Sequence, residues 1–493
     1  MATPDRSSLP STSTEGMTPA PLPSPGTATV GTPGERTPAE RAPAVGIVGG
    51  GQLAWMLAQA AQELGVELHV QTPSRDDPAA GLASSVELAA VDDAAATARL
   101  AGRCQAISFE NEWVPLEALA PLAAAGACFL PSLQALAPLV SKREQRRLLD
   151  HLHLPCPRWC PLEAALPPLP PLGEGVHPSD APPAGATGSS TVPRRRATDH
   201  PAVTRAMAAE AIAPAHASGE PHPAALLPPA PAHLPEGFHF PVMAKASRGG
   251  YDGKGTRPIH DLAALQQLLN HVDPAAWILE EMVAFELELA LVASRDRHGE
   301  VRCFPLVQTH QHHQVCDWVL FPAPVDQRVE ALARNVAASL LTALDYVGVL
   351  SVEFFYGPHG LQVNELAPRT HNSGHVTIEA CRSSQFEQQL RIVAGLPAAG
   401  TEAVVPGALM VNLLGFEESD ADYAEQRQAL ANLPGAHLHW YGKRGAKPGR
   451  KLGHLTLLLD GATAERRAEQ REERLAEVRT LWPLPSLGDT PPI

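Results

Sequence analysis

"AVGIVGGGQLAWMLAQAAQELGVELHVQTP", Ala44 to Pro73, changes period twice within thirty residues. Val45 to Val48 is a short apolar run, and Gly49-Gly50-Gly51 is a turn. Leu53, Met56, Leu57, Ala60 and Leu64 then recur at helical spacing until Gly65 stops them, and Leu68 to Val70 opens a second strand. Strand, glycine turn, helix and strand make a β-α-β unit, so this end of the chain is α/β. The turn places a helix N-terminus, where anions bind, at Gly51. Gly49-x-Gly51-x-x-Ala54 fits the relaxed dinucleotide fingerprint, but the second strand ends Val70-Gln71-Thr72, without an acid for a ribose hydroxyl. A nicotinamide cofactor is disfavoured. A phosphorylated ligand at the turn, and glycines that serve only close strand–helix packing, both remain open.

The remaining composition narrows the class. At 493 residues the chain has room for several domains. No apolar run approaches a bilayer span and the N-terminus has no apolar signal core, so a soluble, cytoplasmic protein without a membrane partner is expected. The net charge of −15 argues against general nucleic-acid binding. Seven cysteines, odd in number and irregularly spaced, read as reduced thiols. The fifty prolines are uneven. Residues 1–44 read as a disordered tail, and about 167–235 as a disordered insertion on a surface turn. Arg194 to Arg196 reads as a solvated charge run.

Two further stretches carry chemistry. "KASRGGYDGKGT", Lys245 to Thr256, packs four glycines with two lysines. It suits a loop laid against phosphate oxygens, and Asp252-Gly253 equally suits a plain hairpin turn. "YVGVLSVEFF", Tyr346 to Phe355, and "LQVNELAPR", Leu361 to Arg369, read as strands joined by a turn. Glu353 and Glu365 then face each other as hard oxygen ligands for Mg²⁺, with Asn364 as a neutral oxygen and Arg369 as a cation for a transferred group. Glu280 and Glu281 end an earlier strand, and Glu288 lies in the next. Together these features imply an ATP-dependent enzyme that activates a phosphoryl acceptor.

"GIVGGGQLAWML", "FPVMAKASRGGYDGKG", "DYVGVLSVEFF", "VNELAPRTHNSGHVTIEACRSSQFEQQLR" and "HWYGKRGAKPGRKLGHL" resemble the ATP-grasp ligases of purine synthesis. Within them, "GGYDGKG" and "APRxHNSGH" resemble the N5-carboxyaminoimidazole ribonucleotide synthetase family. The resemblance implies a mixed α/β and α+β fold. Its parts are a Rossmann-like pre-ATP-grasp domain over 45–140, an ATP-grasp domain over 141–400 and a small β-rich C-terminal domain over 401–493. It implies ATP- and bicarbonate-dependent carboxylation of 5-aminoimidazole ribonucleotide through carboxyphosphate, in a homodimer.

By the same resemblance, Lys245 holds ATP phosphates, and the loop with Gly250, Tyr251, Asp252, Gly253, Lys254, Gly255 and Thr256 closes over them. Glu280, Glu281 and Val283 border the adenine, and Glu288 binds the ribose hydroxyls. Glu353 and Glu365 ligate Mg²⁺ beside Asn364. Tyr251, Asp252, Lys254, Lys443 and Arg450 meet the acceptor, the last two at its phosphate, which the turn Gly50-Gly51-Gln52-Leu53 also approaches. Arg369, His371, Asn372 and His375 form the catalytic group. The chain departs from the family at three places. Ser141-Lys142 replaces an Asp-Arg pair on the ATP side, so charge is kept without the guanidinium fork. Gln311 stands where the family has an ATP-side histidine; its neighbours His310, His312 and His313 read as a solvated loop. "FENEW", Phe109 to Trp113, replaces "FENV", with Glu110 facing the substrate. Biotin is not implied, since no lysine lies in a Met-Lys-Met setting. The alternatives are a formate-using glycinamide ribonucleotide transformylase and a non-catalytic ATP sensor.

Overall fold

The computed structural model describes residues 42–166, 232–250 and 255–486, arranged around three sheets. The first holds β1 (Ala44–Val48), β2 (Glu67–Thr72), β3 (Ser85–Leu88) and β4 (Ala106–Phe109) in the order β3-β2-β1-β4, all parallel. The helix Gln52–Leu64 lays Leu53, Met56, Leu57 and Ala60 into its core, and Gly65 ends it at φ 65°, a conformation that suits glycine. Phe386 and Leu390, from the distant helix Gln385–Val393, complete that core. The N-terminal unit is thereby packed directly onto later parts of the chain.

The second sheet holds β5 (Trp159–Pro161), β6 (Val242–Ala246), β7 (Thr256–Ile259) and β8 (Trp277–Glu281) in the antiparallel order β5-β8-β6-β7. Its core of Leu162, Phe238, Val242, Ile259, Leu265 and Leu279 also takes in Ala232 and Leu234. Ordered packing therefore resumes before the expected boundary near 235, because these apolar side chains fill the sheet's face. Residues 1–41 of the expected tail and 167–231 of the expected insertion lie outside the described residues, and Ala44, expected in the tail, opens β1. The backbone N–H of His233 donates to Ala165 O at 3.0 Å, so the two ends of the 167–231 segment stand side by side. Doubling a loop's length costs only about 0.6 kcal/mol of closure entropy. Replacing residues 170–229 with a short Gly-Ser linker should thus leave the melting temperature and turnover nearly unchanged. A marked loss of either would show that the segment supports the core or the site.

The third sheet is wholly antiparallel and has nine strands: β9 (Leu287–Arg295), β10 (Val301–Cys303), β11 (Val307–His312), β12 (Val315–Phe321), β13 (Gly348–Gly357), β14 (Gly360–Ala367), β15 (Gly407–Leu414), β16 (Ala436–Trp440) and β17 (Lys451–Leu459). Its order is β14-β13-β9-β11-β12-β15-β17-β16, with β10 paired to β9. The pairing of β12 with β15 carries one sheet from the central region into the C-terminal region. The C-terminal strands are thus continuous with the central ones. Helix Gln327–Ala343 packs on the central strands. Helix Ala464–Leu481 lies on the C-terminal ones and ends at the fully buried Trp482. Among the described residues no helix is long and apolar enough to cross a membrane, and no disulfide joins any of the seven cysteines.

Candidate active site

The expected pair of acids faces across one ladder. Glu353 on β13 is the direct partner of Glu365 on β14, and the register shifts immediately afterwards, so that Phe354 pairs with Val363. Asn364 is the extra residue of this bulge, a device that re-aims side chains beside functional sites. Its side-chain oxygen accepts from Lys245 Nζ at 3.1 Å and its backbone carbonyl from Arg146 Nη2 at 2.6 Å. On the neighbouring β9, Glu288 is the partner of Phe355 and Ala290 is the partner of Glu353. Period-2 alternation therefore puts Glu288, Glu353 and Glu365 on one face. Burial, then the charges of Glu365 and Glu288, push the Glu353 carboxyl up to about 7. Burial pushes Glu288 to about 7 as well. Glu365 goes the other way: burial opposes its ionisation, but the Lys142 ammonium paired with it outweighs burial and holds it below the usual range. About a third of the Glu365 side chain (36 %) faces the open mouth of the cleft, with protein on its other sides.

Opposite these acids stands a group of cations. Glu280, 1 % exposed, accepts from Arg146 Nε and from Lys245 Nζ, each at 2.7 Å. Burial would raise its carboxyl, but the two cations hold it down to about 2. Two cations share this one buried carboxylate. Burial, with Arg146 and Lys142 nearby, accordingly draws the Lys245 ammonium below the usual lysine range despite Glu280. An incoming phosphate would supply the missing anion. Glu280 was expected at the adenine; it is instead paired with Arg146 and Lys245, because a buried carboxylate needs paired cations. Glu281 ends β8 and Val283 follows it on the β8–β9 connection, where Met282 and Phe285 expose apolar surface and Phe285 stacks on Phe355 at 4.8 Å. Lys142 N donates to Ser247 O at 2.8 Å, which ties the helix Lys142–His151 to the start of the glycine-rich segment. At the base of that segment Ala246 N donates to Gly255 O at 2.7 Å, and a Cβ on Gly255 would meet Ala246 Cβ at 3.1 Å. Tyr251, Asp252, Gly253 and Lys254 lie outside the described residues; Gly250 lines the cleft and Thr256 opens β7.

The acceptor side departs from expectation in detail. The Glu110 carboxylate accepts from the N–H groups of Gly51, Leu53 and Ala54 at 2.7, 3.1 and 3.4 Å. The protein's own carboxylate thus occupies the helix N-terminus expected to approach a phosphate. A Cβ on Gly51 would meet Glu110 Oε1 at 2.5 Å, which explains the glycine there. Burial raises the Glu110 carboxyl despite the three donors. The Gln52 side chain is what reaches Lys443: its Oε1 accepts from Lys443 Nζ at 2.7 Å. Arg450 is exposed, and its Nη1 donates to the carbonyls of Arg444 and Gly445, so it braces the loop that carries Lys443. Arg369 Nε donates to Glu112 Oε2 at 2.6 Å, and His371 Nε2 lies 3.9 Å from Glu353 Oε1.

Two expected catalytic residues lie buried in the core. Asn372 is buried in a reciprocal amide pair with Asn412, at 2.9 and 2.7 Å. His375 is fully buried, with Nδ1 3.3 Å from Gln385 Nε2, and has no face toward a substrate. Gln311 follows a register shift on β11. Its histidine neighbours are no solvated loop: His310 stacks on Trp318 at 5.0 Å, with Asp317 at 3.6 Å, and His312 reaches Pro485 O at 3.1 Å. Among the described residues, no group of three or more His, Cys, Asp or Glu is closed around a metal position. The sequence reading missed Arg146, Glu112 and Gln145. Gln145 bonds both backbone groups of Leu366, fixing the residue after Glu365. The signal available for Gln145 and Arg146 was a helix whose inward face, Gln145, Arg146 and Leu149, is two-thirds polar.

Comparison with known proteins follows this geometry. Residues 43–138 match the ribonucleotide synthetase preATP-grasp domain, 231–386 the ATP-grasp domain, and 408–469 the phosphoribosylaminoimidazole carboxylase C-terminal domain. The N5-carboxyaminoimidazole ribonucleotide synthase of Synechococcus elongatus is 45 % identical over 91 % of this chain and 97 % of its own. The crystal structure of the N5-carboxyaminoimidazole ribonucleotide synthetase of Thermus thermophilus superposes with a TM-score of 0.67 at 30 % identity, covering 90 % of this chain and 100 % of that one. The carboxyaminoimidazole ribonucleotide synthase of Aspergillus clavatus, solved with ATP, superposes with a TM-score of 0.68 at 25 % identity, covering 89 % and 99 %.

Proposed function

Because the chain belongs to the N5-carboxyaminoimidazole ribonucleotide synthase family, we propose how its residues divide that family's reaction. The protein is an ATP-dependent ligase that carboxylates 5-aminoimidazole ribonucleotide to N5-carboxyaminoimidazole ribonucleotide in purine biosynthesis. The observation that carries the division of labour is the cleft itself, with Glu288, Glu353 and Glu365 on one wall and Lys142, Arg146 and Lys245 on the other.

Lys245 and Lys142 take the ATP phosphates, and Glu288 the ribose hydroxyls. The residues fit a magnesium ion: two facing carboxylates, one of them pushed up to about 7 by burial and by its acidic neighbours, beside the Asn364 bulge. Glu353 and Glu365 would hold it, and when bound it neutralises charge on the β- and γ-phosphates. A bicarbonate oxygen attacks the γ-phosphorus and the bond to ADP breaks, giving carboxyphosphate. Arg369, fixed by Glu112, supplies the cation for its oxygens. Carboxyphosphate releases CO₂ and phosphate, the acceptor's amine takes the CO₂, and His371 receives the amine's proton. Lys443, steered by Gln52, takes the acceptor's phosphate. Activation runs through ATP without biotin, in a cytoplasmic homodimer.

ADP release measured with bicarbonate, with and without 5-aminoimidazole ribonucleotide, tests the reading. The acceptor should stimulate release, with ADP and product formed one to one. No ADP release with or without the acceptor would favour a non-catalytic ATP sensor, and stimulation by glycinamide ribonucleotide with formate the other ligase.

The raised Glu353 carboxyl gives a pH dependence. Its proton must leave before the oxygen can bind a cation, so magnesium–ATP affinity should weaken as pH falls below about 7, approaching tenfold per unit, and level off above about 8. Calorimetry in two buffers at pH 6 should read close to one proton released per nucleotide bound. Affinity constant from pH 6 to 8 would remove Glu353 from the metal site.

A further inference from the structure

Behind the loop that carries Lys443 lies a buried polar stack that the reaction as described leaves unused. Lys443 Nζ sits 5.4 Å from the ring centre of Tyr441, whose hydroxyl is 2.8 Å from His454 Nδ1. The His454 ring is 4.9 Å from that of His375, whose Nδ1 is 3.3 Å from Gln385 Nε2. Gln385 in turn grips the backbone of His371 on both sides: its Oε1 accepts from His371 N at 2.8 Å and its Nε2 donates to His371 O at 2.7 Å. His439 stacks on the other face of His454, with ring centres 4.4 Å apart, and is held by Glu379 at 2.7 Å. His375, His454 and Gln385 are each 0 % exposed.

This arrangement is a costly way to fill a core. The Nε2 atoms of His375 and His454 are buried without a hydrogen-bond partner, and an unpartnered buried polar atom is destabilising where an apolar ring of the same shape is not. Burial also holds both imidazoles well below their ordinary range, so they stay neutral and stack. What the stack does provide is a continuous rigid path from Lys443 at one end to the backbone of His371, beside Glu353, at the other.

We infer that His454 is a positioning residue, which through Tyr441 on one side and His375 and Gln385 on the other sets His371 in register with an acceptor whose phosphate rests on Lys443. The inference rests on placing that phosphate at Lys443. It makes carboxyl transfer, and not ATP cleavage, the step that depends on the stack: a loosened His371 lets carboxyphosphate lose its CO₂ to water.

The test uses Tyr441→Phe, His454→Phe and the double variant, with product and ADP both measured. In each, the acceptor KM should rise at least fivefold and the ratio of product to ADP fall to half or lower, while the KM for ATP stays within twofold. The double variant should be no worse than the worse single, as members of one path share one effect. Lys443→Ala checks the underlying placement. If it leaves the acceptor KM unchanged, the phosphate lies elsewhere and the inference falls with it. If it raises that KM while the two stack variants keep wild-type acceptor KM and ratio, with at most a lower melting temperature, the stack is structural and the positioning role is overturned. Should His454→Phe fail to fold, Tyr441→Phe decides alone, since it deletes one oxygen and keeps the ring.

Discussion

Glu365→Gln should lower ATP turnover by orders of magnitude, about a thousandfold, without unfolding the protein. Glutamine keeps the shape and one acceptor oxygen, but it removes the charge that faces Glu353 across the ladder and that pairs with Lys142. The backbone pairing of the two strands does not depend on the side chain, and the carboxylate stands at the cleft's mouth, so the melting temperature should hold. Lys142 and Lys245 keep their charges, so ATP without magnesium should still bind. A secondary effect identifies the mechanism. Glu365 is the largest charge raising Glu353 after burial itself, so its neutralisation should lower the Glu353 carboxyl and shrink proton release at pH 6. Near-normal ADP release would take Glu365 out of the site.

The legible parts of this protein were those encoded locally. The β-α-β unit at Ala44 shows its period within thirty residues, and the hairpin holding Glu353 and Glu365 closes around a four-residue turn. Both therefore rest on spacing that a sequence displays. Roles that depend on a partner far along the chain were not readable. Arg146 is one of several charges on the helix Lys142–His151; its partner appears only when β8, 134 residues later, brings Glu280 to it. Glu112 read as a spacing anomaly, and it meets Arg369 across 257 residues. The errors share this cause. Glu110 carries the right charge for a substrate-facing acid, yet it caps a helix reached only by folding β4 beside β1. His375 lies four residues from His371 in one motif, but backbone direction turns one imidazole toward Glu353 and the other into the core.

Arg146→Met tests the hidden half of the nucleotide site. Arg146 is 1 % exposed and supplies one of the two cations on Glu280 as well as a donor to the Asn364 carbonyl. Methionine fills similar volume without charge, leaving a buried carboxylate with Lys245 alone. Breaking a buried pair from one side costs about 3–5 kcal/mol, because the remaining charge is stranded. Stability at pH 7 should fall by about that amount in urea unfolding. The sign of its pH dependence follows from Glu280, whose carboxyl is held down to about 2. A depressed carboxyl stabilises the fold fully above its unfolded value of about 4.3, and the contribution is lost as pH falls through the folded value. The gap between wild type and variant should therefore persist from pH 7 down to about 5 and narrow below that. Arg146→Met with Glu280→Gln should recover much of the loss, since the stranded charge is gone. ATP affinity should not recover with it, because Lys245 then lacks the carboxylate that orients it and the site has lost the Arg146 charge. Equal stability of Arg146→Met and wild type at pH 7 would mean that water reaches Glu280, and the cation pair would lose its place in the account of how Lys245 is held ready for phosphate.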